Sequence, residues 1–214
     1  MKSPLPQEFY AEEYAARLLA ASGCTRPVGL VVSYCLASSI GYEVARQVTS
    51  RQGSAPVLVA LDGSPCPAES VLSAYREAAV RFAEDDAVHL LQPTESDLIE
   101  RPKDVLAAME RELTDLAARS LREEELEEDL IQDMVEDLVH HTVDWLTHLV
   151  AAHNASFLQW EGDVVLVSSR DQPFEGPWPG ARSTRVVRVD CSRAELLDQP
   201  RVRRAIADCM PSRL

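Results

Sequence analysis

The segment from Pro27 to Val48, PVGLVVSYCLASSIGYEVARQV, constrains the fold more than any other stretch of the chain. Its apolar run, Val28 to Val32, predicts a strand buried on both faces, as in a parallel sheet. The run ends in a cluster of mostly small residues, SYCLASS, from Ser33 to Ser39. Ile40, Val44 and Val48 then recur at four-residue spacing, which predicts a helix with one apolar face. A strand that turns sharply into a helix leaves its turn at the carboxyl edge of the sheet, where open α/β sheets bind their ligands. Cys35 stands in that turn.

The remaining pattern alternates in the same way. A helix is expected over Glu8–Ser22, with Phe9, Tyr14, Leu18 and Leu19 on its apolar side and Gly23 as its stop. A second strand, from Pro56 to Leu61, runs into Asp62-Gly63-Ser64-Pro65, and a helix follows over Ala68–Phe82. After a polar, proline-punctuated connection, Asp104–Arg119 carries Leu106, Met109, Leu113 and Leu116 at helical spacing. Leu126, Leu130, Met134, Leu138, Trp145 and Leu149 predict a second long helix. The acidic run Glu123–Asp129 reads as its solvated face. Further strands are expected at Asp163–Ser169 and Thr184–Val189, with a Pro/Gly-rich loop holding Trp178 between them and a final helix at Pro200–Cys209. This alternation predicts an α/β fold, a parallel sheet with helices on both faces. Cys35 and Asp62 then fall on one rim.

Composition narrows the partners. A formal net charge of −14 over 214 residues disfavours nucleic acid and anionic membrane. Five cysteines without paired spacing argue against a disulfide framework and against a zinc site. No apolar run has the length of a membrane span and no signal peptide is evident, so a cytoplasmic location is expected.

The pentapeptide Ser33-Tyr34-Cys35-Leu36-Ala37, the following Gly41-Tyr42-Glu43-Val44-Ala45-Arg46-Gln47 and the phrase Leu61-Asp62-Gly63-Ser64-Pro65 together resemble the thioesterases of polyketide and nonribosomal-peptide assembly lines. These are α/β-hydrolases with a nucleophile elbow of the form G-x-S-x-G. The likeness extends from about Tyr10 to Met210. It implies one domain over residues 1–214, with the helical insertion 94–153 as a lid. It also implies a shortened N-terminal part, since the strand and loop that supply half of the family's oxyanion hole have no counterpart here. An exposed sheet edge would follow, and with it a homodimer or hetero-complex.

The resemblance assigns Cys35 to the nucleophile position, Asp62 to the triad aspartate and the Leu36 backbone N–H to the oxyanion donor. Read from residues alone, Cys35 also fits a buried, inert thiol, and Asp62 a loop cap. Both family glycines of the elbow are absent, leaving Ser33 and Ala37, which are less permissive at positive φ. The family's histidine is missing too. Aligning Val189-Asp190-Cys191-Ser192-Arg193-Ala194-Glu195-Leu196-Leu197 on its leucines puts Arg193 in that place. An arginine cannot act as a general base, but it can hold an anion or favour a thiolate. Among the five histidines, His140, Asp144 and His148 fall at i, i+4 and i+8. They line a polar seam, ligate a metal, or supply a base from the lid through His148. His89 and His153 have no constellation near them, and Cys66 is a candidate second thiol near the rim.

The function implied is acyl transfer or cyclisation, with the acyl group passing from a carrier-protein thioester to Cys35. The alternative is a non-catalytic relative that binds a carrier, an acyl ligand or a partner subunit. No resident cofactor is expected, because the acyl group would arrive on phosphopantetheine. An acidic carrier would need a basic patch, and Arg201, Arg203 and Arg204 are the candidates.

Overall fold

In a computed structural model that describes residues 5–82, 90–123, 128–156 and 158–210, four strands form one all-parallel sheet. They are β1 (Leu30–Tyr34), β2 (Val57–Leu61), β3 (Trp160–Ser168) and β4 (Ala181–Arg188), hydrogen-bonded in that order. The helices are α1 (Ala11–Ser22), α2 (Ala37–Gln52), α3 (Ala68–Phe82), α4 (Glu95–Glu100), α5 (Pro102–Glu123), α6 (Glu128–Ala155) and α7 (Pro200–Ala207). A 3-10 turn over Arg193–Asp198 precedes α7. His89 and the side chains of the acidic run 123–129 lie outside the described residues.

The chain divides into two compact units. One comprises Tyr10–Cys66 and Ala152–Leu214, and the other Met1–Phe9 and Pro67–Ala151. The first holds the sheet. Alternate residues of β2 point to opposite faces, as the strand period of two requires. Val59 and Leu61 join Val165, Val167, Leu196 and Val202 in a core beneath α7. Leu58 and Ala60 join Tyr42, Ala45, Trp160, Leu166 and Trp178 in a core beneath α2. Trp178, on the loop between β3 and β4, stacks on Tyr42 at 6.0 Å, so that loop serves as cover for the sheet.

Several expectations shift. Strand β1 begins at Leu30 rather than Val28, because the Gln52 side chain takes both backbone groups of Val28, at 3.0 and 2.8 Å. It continues through Ser33 and Tyr34, which are in register with Ala60 and Leu61. It is an edge strand rather than a buried one, with Val32 46% and Tyr34 38% exposed. Helix α1 starts at Ala11, and it buries Ala11, Tyr14 and Ala15 while Leu18 is exposed. Helix α2 is buried nearly all round instead of on one face. Its Glu43, with no exposure, is neutralised by Arg46 at 2.6 Å and bonded by Gln47 at 2.9 Å. Strands β3 and β4 each begin three residues earlier than expected and end one residue earlier.

In the helical unit, α3 and α4 lie against α5. The stripe Leu106, Met109, Leu113 and Leu116 is buried. Tyr75 of α3 donates a short hydrogen bond to Glu112 of α5, which also accepts the Leu91 N–H at 3.1 Å. On α6 the buried row is Ile131, Val135, Val139, Leu146 and Val150, whereas Leu130, Leu138 and Trp145 are exposed. The second long helix is present as expected; of its predicted stripe Leu149 is buried and Met134 half-buried, so the helix carries apolar residues on more than one side. Helix α4 is an addition to what was read as a connection. It opens with a capping box in which Thr94 and Asp97 satisfy each other's N–H groups.

Candidate active site at the carboxyl ends of β1 and β2

Register places Tyr34 beside Leu61, and Leu61 beside Val167. The residues that follow these positions therefore share one rim. Cys35, directly after β1, has φ +54°. A left-handed backbone costs a non-glycine residue about 1–2 kcal/mol. Two backbone bonds hold the turn: Cys35 N–H donates to Leu61 O at 2.8 Å, and Ser38 N–H donates to Cys35 O at 3.0 Å. At about 1 kcal/mol each they offset the strain. The thiol is partly exposed, and among the described residues it makes no hydrogen bond.

The tight approach of helix to strand rests on glycines outside the pentapeptide. A Cβ on Gly41 would lie 2.7 Å from Ser33 Cβ, and one on Gly63 would lie 2.6 Å from Ser38 Cβ. Ser33 Oγ and Ser38 Oγ bond across the turn at 3.2 Å. Leu36, with φ −62° and ψ −24°, caps α2. Its N–H belongs to the helix start, where donors lack intrahelical acceptors and the partial charge is positive.

Asp62, directly after β2, has φ +46° and is 1% exposed. Its carboxylate is enclosed by donors from far along the chain. Ser169 N–H bonds Oδ1 at 2.6 Å, and Ser169 Oγ–H bonds Oδ2 at 2.7 Å. Arg193 Nε–H bonds Oδ2 at 3.2 Å. Gln172 Nε2–H donates to the Asp62 carbonyl at 2.5 Å, and Asp62 N–H donates to Val167 O at 2.8 Å. A charge this buried needs such partners. Arg193, at the place the leucine alignment assigns to the family's histidine, is thus one of two side chains, with Ser169, that meet the Asp62 carboxylate. Its own N–H is anchored on Asp171 Oδ2 at 2.8 Å. Ser169 and Gln172 went unrecognised in sequence. Their only signal was a position just after a strand end, on the rim where Asp62 was already expected.

His148 belongs to the helical unit, where it is 7% exposed and stacked on Trp145 at 5.3 Å. Its burial lowers its pKa. His140 is 69% exposed in its side chain and lies 3.6 Å from Asp144, which accepts from Gln7 at 2.5 Å. Among the described residues no group of His, Cys, Asp and Glu is arranged to hold a metal ion. His153 joins a buried polar knot instead of standing alone. Its Nδ1 lies 2.9 Å from Cys66 O, and Cys66 N–H donates to Ser156 Oγ at 2.9 Å and to Ser39 Oγ at 3.1 Å. Cys66 is 1% exposed.

On β4 and α7, Arg185, Arg201 and Arg204 line a groove of about 480 Å³ with Val187, Pro200, Ala205 and Asp208. Among the described residues these three arginines and Arg203 have no carboxylate partner, in contrast to Arg170, Arg182, Arg188 and Arg193. No described helix is long and apolar enough to cross a membrane.

No family model matches the chain, and no curated protein sequence matches it. Among solved structures it is similar to a four-domain nonribosomal peptide synthetase bound to AMP and glycine. The TM-score there is 0.50 and the identity 16%, over 94% of this chain and 15% of the synthetase. It is similar, with a TM-score of 0.47 and 12% identity, to the Vlm2 thioesterase domain bound with a dodecadepsipeptide, over 92% of this chain and 74% of that one. For RedJ-Thioesterase of the prodiginine pathway in Streptomyces coelicolor the TM-score is 0.43 and the identity 15%, over 94% and 70% of the two chains. The likeness to the synthetase is one of fold, a parallel α/β sheet with helices.

Proposed function

We propose that the chain is a thioesterase-like acyl transferase or cyclase of natural-product biosynthesis, acting in the cytoplasm, with Cys35 as acyl acceptor. The observation that carries this reading is the left-handed turn that presents a partly exposed thiol directly before the start of α2. Backbone strain of this kind persists where its surroundings over-determine it, and it clusters at functional sites. In the loading step the Cys35 sulfur attacks the carbonyl carbon of a carrier-bound thioester. The new C–S bond replaces the pantetheine C–S bond, and the pantetheine thiol leaves with the proton that Cys35 gives up. One thioester replaces another, so the exchange is close to isoenergetic. The Leu36 N–H, at the positive end of α2, would stabilise the intermediate's oxyanion.

Release differs from that of a hydrolase. The group held by Asp62 is an arginine, which cannot take a proton from water. This favours an internal or incoming nucleophile on the acyl group over water. The acyl group would arrive on phosphopantetheine. The arginines of α7 and β4, which have no carboxylate partner among the described residues, are the docking patch proposed for an acidic carrier. The exposed Val32 and Tyr34 of edge strand β1 support a homodimer or hetero-complex through that edge, and a stable monomer in sedimentation at micromolar concentration would exclude it. The same arginine on Asp62 also favours a second reading, a non-catalytic relative that keeps the fold to bind a carrier, an acyl ligand or a partner subunit.

Intact-protein mass after incubation with acyl-pantetheine thioesters separates the two. Addition of one acyl group to the native protein, and none to Cys35→Ala, is expected. If no acylation occurs while a carrier binds both proteins equally, the second reading holds.

A further inference from the structure

We propose that Arg193 is a carboxylate-binding residue, and that the acyl group handled at this rim carries a terminal carboxylate. Asp62 is fully buried in its side chain, whereas that of Arg193 is 42% exposed. The contact between them uses Nε alone. Among the described residues the two terminal nitrogens of the guanidinium have no partner. One side of the fork is therefore fixed on a buried anion, and the end that bears the paired terminal N–H groups faces outward. That end matches the two oxygens of a planar carboxylate in a bidentate pair.

The root of the side chain is fixed as well. Arg193 N–H is bonded to Asp171, and the Ser192–Glu195 capping box sets the turn in which the arginine stands. A guanidinium held at both its backbone and its Nε loses little entropy on binding a ligand. Asp62 and Asp171 offset its charge, so the attraction rests on short-range geometry rather than on long-range steering. Cys35 is bonded through its N–H to Leu61 O, and Arg193 is bonded to the next residue, Asp62. Both groups are thus tied to the same dipeptide at the rim. An acyl group on the thiol with a carboxylate at its far end would be held at two points.

This inference rests on the acyl-Cys35 reading for the placement of the acyl group, and its test is made to fail separately. The protein carrying Cys35→Ala is titrated calorimetrically with S-succinyl-pantetheine and with S-butyryl-pantetheine, which match in carbon count and differ in the terminal carboxylate. The succinyl thioester is expected to bind about tenfold more tightly, from a charge-assisted pair worth about 1.5 kcal/mol. Adding Arg193→Gln should equalise the two thioesters. Adding Arg193→Lys, which keeps the charge beside Asp62 and loses the fork, should remove most of the preference. Free succinate should compete with the succinyl thioester, and inorganic phosphate should not.

Failure of the succinyl thioester to bind, equal binding of the two thioesters, or a preference that survives either Arg193 substitution would overturn the proposal. Equal displacement by phosphate would overturn the carboxylate assignment. If the native protein is never acylated while the Cys35→Ala protein shows the preference, the enzyme reading falls and the anion site stands. Acylation without any preference has the opposite meaning.

Discussion

The turn after β1 and the turn after β2 both place a non-glycine residue in the left-handed region, Cys35 at φ +54° and Asp62 at φ +46°. They lie on adjacent strands joined by the bond from Cys35 N–H to Leu61 O. The Asp62 turn is closed: the carboxylate is buried and accepts three hydrogen bonds from Ser169 and Arg193. The Cys35 turn is more open: two backbone bonds and the Ser33–Ser38 hydroxyl pair hold it, and Cys35 itself is only half-buried. Aspartate tolerates this backbone better than most residues, because its short side chain bonds locally. Cysteine has no such compensation. The first turn holds a charge in place; the second presents a reactive atom, and its stability comes from the helix behind it.

That difference predicts unequal responses to truncation. Asp62→Ala removes three bonds to a buried carboxylate and should cost about 3 kcal/mol in urea denaturation, against less than about 1 kcal/mol for Cys35→Ala. Equal losses would show that the Cys35 side chain is structural after all.

The helix behind the Cys35 turn has a signature of its own in alkali. Burial pushes the Tyr42 phenol up to about 12, and its hydroxyl donates to Leu158 O at 3.2 Å. Unfolding lets this group ionise from about pH 10, so its contribution is whole below pH 10 and lost as pH rises towards 12. The full effect is about 2–3 kcal/mol. Tyr75 is raised as well, by burial first and then by its bond to Glu112, and acts in the same direction. The diagnostic quantity is therefore the difference between native protein and Tyr42→Phe across pH 8 to 11.5. No difference in slope would mean that the ring is not held as the structure has it.

Gly41→Ala tests the close approach beneath the turn. With a Cβ only 2.7 Å from Ser33 Cβ, strand and helix must separate, at about 2 kcal/mol. Adding Ser33→Gly should recover part of that loss, and no recovery would place the conflict elsewhere. The smallest effect concerns the strain itself. Cys35→Gly should be about 1 kcal/mol more stable than Cys35→Ala, because glycine adopts positive φ without penalty. The opposite order would mean that the turn is not strained.

Much of the sheet was legible because it is written locally. The run from Leu30 to Val32, the small turn residues and the helix that follows mark β1, the turn and α2. Period and punctuation also placed α3 at its observed bounds, Ala68–Phe82. Local pattern does not fix exposure: β1 reads as buried and lies at an edge, and on α6 the row Ile131, Val135 and Val139 is buried together with Leu149, while Leu130 and Leu138 are exposed. A periodic pattern shows that a side is apolar and does not say which apolar side finds a neighbour.

What the sequence determined by itself, then, is the order of strands and helices, the position of Cys35 at a strand end, and the absence of a histidine after His153. The tertiary structure alone decided what surrounds Asp62. Ser169 and Arg193 reach it from 107 and 131 residues away. Hydrogen bonds over such separations depend on which strand ends share a rim, and that is set by the pairing of β1, β2 and β3. The left-handed backbone at Cys35 is likewise a product of packing, since it takes the close contact of Gly41 with Ser33 and the bond to Leu61 to hold a cysteine there.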